Sequence, residues 1–119
     1  MERAHHRLVA WKESMDLVKA IYTLTGAFPH EERFGLTSQM RRAAVSVPSN
    51  ISEGAARGST REFMQFLYFA RGSLSELETQ LLIASELEYA GEIRPVATQI
   101  NKMFSLLAGL MRNLEDRKS

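Results

Sequence analysis

Between residues 63 and 84 the chain places Phe63, Leu67, Ala70, Leu74, Leu77, Leu81 and Ala84 at alternating steps of four and three, with no proline among them. A strand repeats every two residues, so this spacing specifies a helix whose apolar seam lies along nearly parallel or antiparallel neighbours. Such a seam needs partner helices, and the rest of the chain offers three. Leu8, Trp11, Met15, Val18, Ile21 and Tyr22 predict a first helix over about 8–25, closed by Gly26 and Pro29. Leu36, Met40, Ala43, Val47, Asn50 and Gly54, widened by Ala44 and Ile51, form the stripe of a second helix over about 36–57, ended by Gly58. Ser59-Thr60-Arg61-Glu62 is a capping box that opens the seam helix, about 60–89. After the turn at Gly91, Ile93, Val96, Ile100, Met103, Leu107, Leu110 and Leu114 carry a fourth helix over about 93–115, with Pro95 in its first turn. These elements predict one all-α domain, 1–119, folded as an up-down-up-down four-helix bundle. Residues 1 to about 7 read as a polar tail, and Phe34 is expected to tuck back onto the core.

The second helix breaks a local rule. Pro48 lies inside its apolar pattern, where a missing N–H and a bulky ring cost roughly 3 kcal/mol in an ordinary helix interior. Ser46, Ser49 and Ser52 are spaced to pair with the backbone around the proline, and Asn50 is the side chain expected to satisfy a freed carbonyl. Pro48, Asn50 and Gly54 are therefore read as a structural motif of a bent but continuous helix.

Chemistry is sparse. No cysteine is present, which removes thiolate nucleophiles, thiolate metal sites and disulfides and makes a cytoplasmic setting the default. Histidine occurs only at positions 5, 6 and 30, in expected tail or loop, so no catalytic triad forms. Glu2 and His5 match one half of a di-iron ligand pair, but that site needs two such pairs and further carboxylates. Gly54-Ala55-Ala56-Arg57-Gly58 follows a helix and lacks the Lys-Ser/Thr of a phosphate loop. No apolar run is long enough to span a bilayer. An enzyme, a bound metal or cofactor and a membrane protein are all disfavoured.

Two features point outward. Phe66, Tyr68 and Phe69, with Met64, make the start of the third helix apolar almost all round, which suggests a subunit interface or, alternatively, one wide core face with exposed aromatics. Arg41, Arg42, Arg57 and Arg61 are candidates for a basic surface that would bind phosphate. The formal net charge is only +1, so any such surface depends on local placement, and pairing of these arginines with Glu53, Glu62 and Glu76 is the competing reading.

One longer pattern goes beyond these rules. Trp11, Phe28-Pro29, Phe34-Gly35-Leu36, the run from Gln39 through Pro48 to Gly54, Arg57, Phe63, Phe66-Leu67, Ala70-Arg71-Gly72-Ser73 and Glu76-Leu77-Glu78-Thr79-Gln80 together resemble the small proteins encoded in intervening sequences of bacterial 23S ribosomal RNA genes. The resemblance implies a left-handed four-helix bundle assembled as a ring-shaped homopentamer. The chain is also similar to the accessory variability determinant of diversity-generating retroelements, a pentameric bundle that partners a reverse transcriptase and binds nucleic acid through a basic surface. By position, that likeness implies Arg41, Arg42, Arg57 and Arg61 as nucleic-acid contacts. The resulting expectation is a non-enzymatic oligomeric module that binds RNA or DNA, with a scaffold for a partner protein such as a reverse transcriptase as the alternative.

Overall fold

The third apolar seam has become the central wall of the molecule. In the computed structural model, which describes residues 2–118, the chain forms α1 (Val9–Thr25), α2 (Leu36–Ala55), α3 (Thr60–Glu86) and α4 (Arg94–Lys118), with 3-10 turns at Ala4–Arg7 and His30–Glu32. On α3, Leu67, Ala70, Leu74, Leu77, Leu81 and Ala84 are buried, and on α4 they meet Val96, Ile100, Met103, Leu107 and Leu114 in one core. Each helix packs on two neighbours, α1 and α3 both lying between α2 and α4. Adjacent helices run antiparallel. Gly54 at the end of α2 faces Phe63 and Phe66 at the start of α3, and Ser46 meets Ser73 midway along both. Thr25 at the end of α1 receives Arg41 from the first half of α2, and Lys102 of α4 pairs with Glu13 of α1 at 2.9 Å. The result is a four-helix bundle of 48 × 25 × 20 Å, with no strand among the described residues.

Helix ends follow capping chemistry. Ser59 Oγ accepts the Glu62 N–H at 3.2 Å and donates to the Glu62 carboxylate at 3.1 Å, fixing the start of α3. At its other end Glu88 takes φ 61°, and the Tyr89 N–H reaches Ala84 O at 2.9 Å, a Schellman closure made without glycine. That closure ends α3 at Glu86, earlier than the periodicity predicts. α2 also ends early, at Ala55, which leaves Arg57 in the turn.

α2 continues unbroken through Pro48, which is buried. Asn50 is half-buried, and its Nδ2 donates to Ser46 O at 2.8 Å and Ser46 Oγ at 2.9 Å. It does not serve the carbonyl freed by the proline, since an N–H at position 48 would have bonded to Ala44. Instead the amide extends the Ser46–Ser73 contact into a small polar link between α2 and α3. Gly54 allows the close approach. A Cβ there would lie 2.8 Å from Phe66 Cβ and 2.9 Å from Phe63 Cδ1.

Three expectations are corrected. The buried face of α1 runs through Ala10, Ser14, Leu17, Ile21 and Thr25, and leaves Met15 and Tyr22 exposed. Small side chains let α1 sit close, and the Ser14 and Thr25 hydroxyls donate to Trp11 O and Ile21 O, each at 2.7 Å, so their polarity costs little. Phe34 does not tuck in: it is 83% exposed, and the core position at that end belongs to Phe28, packed on Tyr89. Nor are His5 and His6 in a solvated tail. They stack edge-on with each other and with Trp11, centroids 4.4–5.3 Å apart, and burial and the neighbouring cations hold the His5 imidazole below its usual range.

Candidate nucleic-acid interface

Consecutive residues on a helix point about 100° apart, so Arg41 and Arg42 have different surroundings. Arg41 leans towards α1. Its Nε donates to Thr25 Oγ1 at 2.9 Å and its guanidinium lies 4.5 Å from the Tyr22 ring centroid. Arg42 is exposed and makes no intramolecular hydrogen bond or ion pair among the described residues.

The loop after α1 folds back over this end of α2. It carries Arg33, whose guanidinium covers the Phe34 ring at 4.6 Å and touches the His30 ring nitrogen. Its position is set by Glu32, whose carboxylate accepts the Leu36 N–H at 3.1 Å and the Tyr89 hydroxyl at 3.0 Å. That bond, together with burial and the nearby acids, raises the Tyr89 phenol above its usual range. A Cβ at Gly35 would stand 2.6 Å from Glu32 Oε1, so a side chain there would push this carboxylate aside.

These elements enclose an open groove of about 590 Å³ whose walls include Tyr22, Arg33, Phe34, Arg41, Arg42 and Val45. Three cations and two exposed aromatic rings therefore face one space, two of the cations already stacked on those rings. Guanidinium groups bind phosphate oxygens in a two-pronged way, and aromatic faces stack on nucleobases irrespective of sequence. The groove thus presents positive charge and stacking surface side by side.

The other two expected arginines lie elsewhere. Arg57 and Arg61 belong to the α2–α3 turn and the start of α3, about 20 Å along α2 from Arg42 at a rise of 1.5 Å per residue. Arg57 is engaged with Glu53 at 2.8 Å and Glu62 at 3.7 Å, and its guanidinium lies 4.8 Å from the Phe66 centroid. Arg61 is exposed, with no intramolecular partner among the described residues. The four do not form one patch. Arg33, Tyr22 and Phe34 were missed as site residues because the folded loop brings Arg33 and Phe34, and the packing of α1 on α2 brings Tyr22, to Arg41 and Arg42.

Of the expected interface residues, Phe66 is half-buried against Gly54, whereas Tyr68 and Phe69 are each 49% exposed. A second apolar groove, of about 220 Å³, runs between α1 and α2 past Trp11, Met15, Val18, Val45 and Pro48. Among the described residues no group of three or more histidine, aspartate or glutamate side chains is placed to hold a metal, and no helix is long and apolar enough to cross a membrane.

No curated protein matches the chain. A family model, described as 23S rRNA-intervening sequence protein, matches residues 6–109. That span covers α1, α2, α3 and α4 as far as Gly109, and with them both walls of the arginine-lined groove. The chain belongs to the 23S rRNA-intervening sequence protein family.

Proposed function

We propose that this protein is a non-enzymatic, oligomeric module that binds RNA or DNA in the cytoplasm. The observation that carries the reading is the groove in which Arg33, Arg41 and Arg42 stand beside the exposed rings of Tyr22 and Phe34. In this reading Arg33, Arg41 and Arg42 supply the positive charge that draws in the strand, Phe34 and Tyr22 stack on unpaired bases, and Arg33 and Arg41 also hold the rings. A ring-shaped homopentamer would repeat the groove around its axis and multiply the local field, which a chain of net charge +1 needs. The exposed Tyr68, Phe69, Leu82 and Ile83 on α3, with Leu87 just after it, support such assembly.

The test is binding of fluorescent single-stranded RNA and DNA across a salt series. Affinity should fall steeply with salt and should drop on Arg42→Glu. Absence of binding at low ionic strength, or binding indifferent to salt and to Arg42, refutes the reading.

The apolar groove between α1 and α2 favours a second reading, a scaffold for a partner protein such as a reverse transcriptase. Purification from native cells separates the two. A stoichiometric protein partner free of nucleic acid supports the scaffold.

A further inference from the structure

Between α2 and α3 lies another groove, of about 340 Å³, lined by Gln39, Arg42, Ala43, Ser46, Ser73 and Glu76. It shares Arg42 and Ser46 with the aromatic groove, so the two lie on either side of one row of α2 side chains. Its floor is polar, formed by the Ser46–Ser73 hydroxyl pair at 2.8 Å and backed by the Asn50 amide. Its rims carry opposite charges. Arg42 on α2 and Glu76 on α3 are both exposed, line the same space, and are not paired with each other or with any other described residue.

An unpaired cation and an unpaired carboxylate across one polar groove suit a neutral ligand that presents acceptors on one side and donors on the other. Phosphate alone does not fit, because Glu76 repels it. Among nucleobases guanine answers both rims. O6 and N7 accept a two-pronged guanidinium, while N1–H and the N2 amino group donate to the two oxygens of a carboxylate. Adenine, cytosine and uracil each lack a two-donor edge beside a two-acceptor edge, and leave at least one rim with a single bond. Unpaired bases expose both edges, as single-stranded RNA does.

We infer that the α2–α3 groove is a guanine-reading pocket, with Arg42 on the O6/N7 edge and Glu76 on the N1/N2 edge of a base next to those stacked on Tyr22 and Phe34. This inference rests on the nucleic-acid reading above and adds base preference to it.

The test uses the full chain and fluorescein-labelled single-stranded RNAs of equal length, with uridine tracts interrupted by guanosine, inosine, adenosine or cytidine. The guanosine strand should bind about tenfold tighter than the adenosine and cytidine strands, the value of one good two-pronged base contact. The inosine strand, which lacks the N2 amino group, should fall between them. Glu76→Gln should shrink the guanosine-to-adenosine ratio several-fold, and the ratio is the readout because removing a negative charge alters affinity for every strand. Glu78→Gln, on the same helix but outside the groove, should keep the ratio. Equal affinity for all four strands, or a ratio that survives Glu76→Gln, overturns the guanine pocket and leaves the binding module standing. Absence of binding to any strand at low salt overturns both.

Discussion

Gly54 and Phe66 meet where the end of α2 lies against the start of α3, with only 2.8 Å between the Phe66 Cβ and the place a methyl group on Gly54 would occupy. The neighbouring obstacle at 2.9 Å is the Phe63 ring, so both sides are firm. Gly54→Ala should therefore lower stability by about 1–3 kcal/mol, the usual cost of overpacking. Gly72→Ala, in mid α3 with nothing within 4 Å, should instead raise it by about 0.5–1 kcal/mol. Urea unfolding midpoints of the two variants should move in opposite directions.

Arg42 and Arg57 should separate in a binding assay. Arg42 is unpaired and faces both grooves, so Arg42→Glu should weaken RNA binding at least tenfold and flatten the salt dependence. Arg57 is committed to Glu53, Glu62 and the Phe66 ring. Arg57→Ala should cost about 1 kcal/mol of stability and change binding little. Fluorescence anisotropy and thermal melts on the same preparations check both.

Phe34 is 83% exposed and contributes nothing to the core, so Phe34→Ala should leave the melting temperature within a degree or so. In the binding reading it should still lose about 1–3 kcal/mol of affinity for single strands through lost stacking. A variant that melts normally and binds normally would remove Phe34 from the site.

The Tyr89 hydroxyl donates to Glu32 at 3.0 Å, and its phenol titrates above the ordinary value of about 10. Because the folded value is the higher one, the stabilisation is complete below the unfolded pKa and disappears as pH rises through the folded one. Tyr89→Phe should be less stable than the parent at neutral pH, and the difference should close above about pH 10. Urea unfolding across that range gives the comparison, and a pH-independent difference would exclude the hydrogen bond as its source.

Size-exclusion chromatography with light scattering should give several times the 13.5 kDa chain mass. Phe69→Asp and Ile83→Asp, at exposed positions on α3, should lower that mass without unfolding the chain. A monomeric parent would show that these side chains are ordinary surface.

Much of the fold was legible because α3 and α4 bury large aliphatic side chains at strict three- and four-residue spacing. α1 was misread by one position of rotation. Its inward face holds Ala10, Ser14 and Thr25, which hydropathy undervalues, while the larger Trp11, Met15 and Tyr22 lie at the flank. Phe28 and Phe34 are equally apolar in the sequence, and only the path of the loop decides that the first is buried. The site was half legible. Arg41 and Arg42 stand out as a pair, but their joining with Arg33, Tyr22, Phe34 and Glu76 is a property of packing between segments that no periodicity encodes.

The turn between α2 and α3 occupies only residues 56–59, so the opposing walls that carry Arg42 and Glu76 are joined by a hairpin of local contacts. Short loops close early during folding, whereas α1 and α4 must find each other from the two ends of the sequence. The α2–α3 hairpin should be the nucleus from which the bundle grows, with substitutions at Leu74 or Val47 slowing folding and those at Ile100 mainly speeding unfolding. The segment that holds the proposed base pocket is then also the first to acquire its shape, before the bundle around it is complete.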